Sequence, residues 1–573
     1  MQLRAASILA LIAGTPWLTS AAQLPRPPIM DRFTPEALMA SGCGFLPQAE
    51  GAVASGKAAA PMPLIDGLAP IRYPITTRDP QAQAYFNQGM AFLYGFEFPK
   101  AERSFAAGSA RDPDCAMCKW GEALAVGPYI NSGPSGETRI VYARKLTDEA
   151  LAQLGISDKE RALIEGLRSR YAPGGAAGQK GVHAVDFANA MKAMSDRFPN
   201  DDMVMVLAAE AAMNVRPWDY WEADNATPRP WGRRALGLVE KVLARNPNQP
   251  QAQHLYIHLT EASTTPGRAE RAADMLETSS PASAHLVHMP SHTYYRIGRF
   301  TDSVNVNRKA IVVDEDMARR LNEDPKFYGY FTHHSHFMLS AAEQIGDRDT
   351  ALEAADGLEA AITPAKVALE PRFESRLISA LQARVQFAPD LDALLAIPQP
   401  DVRLPHMRQI WWALRAEGLG RAGRKADAMR EIAAMRTARG KKAVGKDYLP
   451  LVKLGEMIAL ARIAEGEGQR HKAIRLLQAA AGIESKFDYN EPPLWHQPVE
   501  AALGALLLRN GDARGAKLAF DHALARRPGN SWVLRGKAEA EAKLGDQARS
   551  EQTLTLFRKS WAGGADEVVL SRL

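Results

Sequence analysis

Two distant stretches of this chain carry one spacing pattern. Gly89, Ala101, Phe105 and Pro113 in the first match Gly504, Ala516, Phe520 and Pro528 in the second, with gaps of 12, 4 and 8 in both. Glycine and alanine at the inner positions let two helices approach closely, the aromatic fills the seam between them, and proline stops the second helix. A hairpin of this kind cannot bury its apolar face alone, so a chain that repeats it must stack neighbours into an array. Weaker copies follow at Gly298, at Gly346 with Ala351, at Gly423 with Ala428, and at Gly468 with Ala473. Residues 82 to 573 leave room for a long array of such hairpins, interrupted by irregular loops at about 172–182 and 215–231.

The spacing resembles that of tetratricopeptide-repeat proteins. The resemblance implies an all-α fold, a right-handed solenoid of helical hairpins whose superhelix presents a concave groove. It also implies that ligands meet the first helix of each hairpin, through its second, fifth and ninth places. The chain departs from the pattern where the large aromatic opening a repeat is replaced, as by Glu500, which blurs individual boundaries. The strings DPDCAMCKWGEALAVGP, HMPSHTYYRIGRF and YNEPPLWHQP further resemble a group of exported bacterial tetratricopeptide proteins. That likeness implies a fold and an envelope location, and it brings no activity with it.

Residues 1–22 read as a secretory signal, with Arg4, an apolar run from Ala5 to Ala13 and a small-residue site at Ser20-Ala21-Ala22. Cleavage before Gln23 would leave a periplasmic or secreted protein. Residues 23–81 are rich in proline, glycine and alanine and read as an extended arm. No later apolar run is long enough to span a bilayer. With 70 Lys and Arg against 65 Asp and Glu, the surplus is too thin for a nucleic-acid footprint.

Eight of the thirteen histidines lie between His254 and His336. Counted back from the turn at Gly298, His285, His288 and His292 occupy all three groove places, on one helical face. Counted from Gly346, His333 and His336 occupy the first two and His334 points elsewhere. The preceding repeat offers His254, His258 and Glu261. Aligned imidazoles point to metal ligation or proton chemistry, and the expectation is an ion held by His285, His288 and His292 together with one neighbouring pair. An imidazole and carboxylate shell suits Zn, Cu(II) or non-haem Fe. Two other readings stay open at this point: a metal-free groove for a peptide, protein or small molecule, and packing alone. Whether the chain is a binding protein, a metal-dependent enzyme or a periplasmic interaction scaffold is likewise open, and no catalytic residue is assigned. Leu255 stands where a zinc protease carries its general base, which disfavours that class.

Cys115 and Cys118, with Glu122, take the groove places of an earlier repeat. A disulfide, a soft metal site and two separate thiols are the alternatives, and CAMCK also resembles a rare haem-attachment variant. Cys43 is expected to be free. The aromatic loop carrying Trp218, Tyr220, Trp221 and Trp231 could cap a ligand in the groove or anchor itself on the solenoid. Trp495 and His496 mark an ordered turn between repeats.

Overall fold

The computed structural model describes residues 62–173, 182–327, 329–441, 448–487 and 490–564. The expected signal segment, most of the arm, Cys43 and part of the 172–182 loop lie outside them. From Pro80 to Ser560 the described chain is a succession of paired helices. Among the described residues no strand forms, and the one β-type contact is an isolated bridge between Trp221 and Pro228. The fold is an all-α repeat solenoid. No helix among the described residues is long and apolar enough to cross a membrane.

The last part of the arm, residues 62–79, is irregular and lies along the first helix, Pro80–Tyr94. The Ile65 amide donates to Gln88 Oε1 at 2.7 Å and the Ile75 amide to Gln83 Oε1 at 3.0 Å. Side-chain amides on the helix thus satisfy backbone groups that have no ladder of their own. Asp79 starts the helix by accepting from the amides of Gln81 and Ala82, and Pro80 follows where its missing N–H costs nothing.

The repeated glycines meet the repeated phenylalanines as their spacing predicts. A Cβ on Gly89 would lie 2.6 Å from the Phe105 ring, and one on Gly121 would strike the same ring. At the far end, Gly504 and Gly536 stand in the same relation to Phe520, at 2.7 and 2.5 Å. Each ring is therefore clamped between two helices that only glycine lets so close. Gly121→Ala should destabilise by about 1–3 kcal/mol through overpacking. Gly237→Ala, where a Cβ meets nothing within 4 Å, should be neutral or stabilise by up to about 1 kcal/mol through helix propensity. Denaturant midpoints of the two variants would test this, and equal shifts would refute the clamp.

The solenoid winds tightly enough for both ends to return to the central repeats. At the N-terminal side the Ala282 amide donates to the Gly67 carbonyl at 2.9 Å and Ser283 Oγ to Glu97 Oε1 at 2.9 Å. At the C-terminal side the Ala562 amide donates to the Ile345 carbonyl at 2.8 Å. Gly298 and Gly529, both left-handed at φ 84° and 76°, pack back to back so closely that a Cβ on either would collide with the other turn's backbone. Two apolar cores result. One runs from Met62 to Tyr330 and the other from Tyr295 to Ala540, and they meet at the histidine-bearing helices.

Candidate metal centre

Four helices carry these histidines. Pro250–Thr260 holds His254 and His258, Ala284–His288 holds His285 and His288, Pro290–Ile297 holds His292, and Gly329–Ile345 holds His333, His334 and His336. In the first, every residue is buried, so its polar face turns inward as fully as its apolar one. The second and third are one helical path interrupted at Pro290, which lacks the N–H that would bond the preceding turn.

The open concave wall expected from the sequence is closed. His254, His258, His285, His288 and His333 are completely buried and His292 is nearly so. The winding brings the loop after Pro80–Tyr94 over His254, and the 215–231 loop over His258. Phe96 sits with its ring centre 4.3 Å from that of His254 and stacks on His258 and His285 at 5.8 Å each. Trp218 meets His258 edge-on at 5.0 Å. Both residues have left-handed backbones, φ 53° and 67°, a conformation that strains a bulky L-residue and that surrounding structure must hold in place. Trp218 is pinned by its indole N–H to the Ile130 carbonyl at 3.2 Å, and Trp221 by its own to the Leu259 carbonyl at 2.8 Å.

The imidazoles divide differently from the sequence expectation. His285 joins His254 and His258, whereas His288 and His292 join His333; in each trio one nitrogen per ring lies within 4.8 Å of the others. The three groove places on one helix thus serve two clusters, with Pro290 interrupting the helix inside the second. His336 joins neither. Its Nε2 meets Ser379 Oγ at 2.7 Å, and its ring lies 5.8 Å from that of His496. His334 does not point away: it is completely buried, its Nδ1 2.9 Å from Asp314 Oδ2 and its ring 4.6 Å from that of His288.

Hydrogen bonds fix the tautomers of His254 and His258. His254 Nδ1 is 2.7 Å from the Tyr94 carbonyl, which can only accept, so Nδ1 carries the proton and Nε2 a bare lone pair. His258 Nδ1 donates to Glu261 Oε1 at 2.8 Å, with the same consequence. Nε2 of His254, Nε2 of His258 and both nitrogens of His285 have no hydrogen-bond partner. Buried polar atoms left in that state cost about 1–3 kcal/mol each, and one from each ring lies within 4.8 Å of the other two. Burial lowers the His254, His258 and His285 imidazoles below the ordinary histidine range, neighbouring histidines adding to the effect. They are neutral at pH 7, which is the ligating form.

Glu261 connects the two trios. Its Oε1 accepts from His258 and its Oε2 from His292 Nδ1 at 2.6 Å. Burial alone would raise this carboxyl, but its interactions with His292 and His258 outweigh it and hold the group well below the usual range. A second buried carboxylate, Glu491, reaches His292 Nδ1 at 3.4 Å. Phe96, the Tyr94 carbonyl and Glu491, the last within the YNEPPLWHQP string, gave no signal for the site in the sequence, because each reaches it through tertiary winding and not through the groove register.

The other candidate residues lie elsewhere. Trp221 and Tyr220 are buried in the loop, while Trp231 is only partly buried and stacks under Arg234 at 4.3 Å, away from the imidazoles. Cys115 and Cys118 are joined by a disulfide and buried, so neither sulfur remains for a haem thioether. Glu122 accepts from the Tyr142 hydroxyl at 2.5 Å, and burial raises its carboxyl to about 7. Trp495 and His496 line a separate cavity of about 430 Å³ in the C-terminal half, with His496 Nδ1 hydrogen-bonded to Glu343.

No protein-family model matches the chain, and no curated protein matches it. Solved helical-repeat structures are similar to it. A human IFIT1 dimer with m7Gppp-AAAA aligns over 85% of this chain and 91% of its own at 12% identity and a TM-score of 0.30. The P58(IPK) TPR domain aligns over 81% and 98% at 13% identity and 0.21, and the APC/C hetero-tetramer Cut9-Hcn1 over 85% and 78% at 10% identity and 0.28. Scores this low carry no argument, so the repeat architecture stands on the chain's own hairpins.

Proposed function

We propose that this chain is an exported tetratricopeptide-type binding protein that holds a divalent transition metal at His254, His258 and His285. The observation carrying this reading is the meeting of three buried imidazoles, one nitrogen from each within 4.8 Å of the others. Protons on the opposite nitrogens are taken by the Tyr94 carbonyl and Glu261. Such outer partners are how metal-ligating histidines are ordinarily oriented. Tetrahedral ligands at about 2.0–2.1 Å from zinc stand roughly 3.4 Å apart, so the rings need to close in by no more than about 1.5 Å. Glu261 and Glu491 supply the negative charge that a buried dication requires.

Three imidazoles with the carboxylate one bond further out favour Cu(II) or Zn over the carboxylate-bearing facial triad of non-haem Fe. Calorimetric titration of tag-free protein with each ion tests the proposal. His285→Ala should abolish high-affinity binding and His471→Ala, at an exposed position, should leave it unchanged. Equal behaviour of the two variants would remove the metal reading and return the site to a packed polar seam.

A further inference from the structure

We infer that the interior takes two ions, the second at His288, His292 and His333, with Glu261 orienting one ligand of each. The inference rests on the metal reading of the first trio. It begins from a hydrogen-bonding conflict. His288 Nε2 and His292 Nε2 face one another at 2.9 Å, and one of the two would have to donate.

Neither has a proton to give in the neutral form. Asn307 Nδ2 donates to the Ser303 carbonyl at 2.7 Å, which fixes the amide and leaves Oδ1 as the atom 2.6 Å from His288 Nδ1. An amide oxygen only accepts, so the His288 proton is on Nδ1. His292 Nδ1 donates to the Glu261 carboxylate, an acceptor only when ionised. Both Nε2 atoms therefore present lone pairs to each other. A third proton or a cation must lie between them, and a separation of 2.9 Å is what two cis ligands at about 2.0–2.1 Å would show. His333 brings a third nitrogen within 4.8 Å, which a shared proton would not need.

The two trios adjoin, with ring centres 5.8 Å apart from His258 to His292 and 5.9 Å from His285 to His288. Three carboxylates offset most of the charge of two dications: Glu261 lies between the trios, Glu491 beside His292 and Asp314 behind His334. The surroundings differ in one respect. The first trio is covered by Phe96 and Trp218, whereas a space of about 10 Å³ opens beside His292, bounded by Glu491, Phe337 and Arg296. That is about the least space that admits one water. The first ion is thus enclosed by protein and the second has room for one small exchangeable ligand. The ion class is a divalent first-row metal that accepts an all-imidazole shell, copper(II) or zinc.

The test is metal content per chain after loading tag-free protein with copper(II) or zinc in separate arms, followed by dialysis. Two ions are expected in the wild type, and one each in His333→Ala and His285→Ala. One ion in the wild type overturns the second site, and leaves the first reading standing only if His285→Ala removes it and His333→Ala does not. No ion in the wild type overturns both. Anomalous difference maps from wild-type crystals at the metal edge decide the matter without a variant: two peaks flanking Glu261 are expected, and a single peak refutes the pair.

Discussion

Metal-free protein should lose its fold steeply as the pH falls below about 6.5. Burial lowers the imidazoles of His254, His258, His285, His288, His333 and His336 below the ordinary histidine value. Above pH 6.5 both the folded and unfolded chains hold them neutral and no penalty arises. Below it the unfolded chain binds protons that the folded chain refuses, so stability is present at neutral pH and lost on acidification. Each such group removes up to about 1.4 kcal/mol per pH unit. Six acting together remove roughly 8 kcal/mol per unit, comparable to the whole stability of an ordinary domain. Helical circular dichroism of chelator-treated protein should collapse within about two units of 6.5. Retention of full helicity at pH 4.5 would contradict the neutral buried cluster. Bound metal deepens the same dependence, because protons and metal compete for the bare nitrogens.

Glu261→Ala should have the largest effect of any single substitution at the site. It strips the acceptor from His258 Nδ1 and His292 Nδ1 together, both on buried rings, at about 1–3 kcal/mol for each donor. It also frees both rings to turn. Metal affinity should fall roughly 10–100-fold as orientation is lost. Glu240, half-exposed and paired with Arg268, is the comparison: its replacement by alanine should cost no more than about 1 kcal/mol. Thermal midpoints and metal titrations on the two variants would read both effects. A Glu261→Ala protein as stable and as tightly metal-binding as the wild type would show that the carboxylate links nothing.

The fold was legible because its determinants are local and periodic. The glycines that face Phe105 and Phe520 recur at fixed spacing, and spacing is what a sequence displays. The candidate site was legible only in part. Groove register placed His285, His288 and His292 on one helical face, and all three are buried, yet it could not say that one would turn to His254 and the others to His333. It also misplaced His334, whose partner Asp314 lies on a different helix and gives no signal in the HHSH string. His336 satisfied the same register and was drawn instead toward Ser379. The larger difference is the closure of the groove. A repeat pattern fixes how neighbours stack, but the pitch that carries Phe96 over His254 and Glu491 to His292 is set by many small packing angles summed over the array.

X-ray absorption at the metal edge of copper- or zinc-loaded protein, after exhaustive dialysis, tests the central claim most directly. The structure predicts a first shell dominated by imidazole nitrogen at about 2.0–2.1 Å, with the outer-shell scattering of histidine rings, reduced in His258→Ala and His285→Ala. A shell of oxygens alone, or protein that retains no metal, would contradict it.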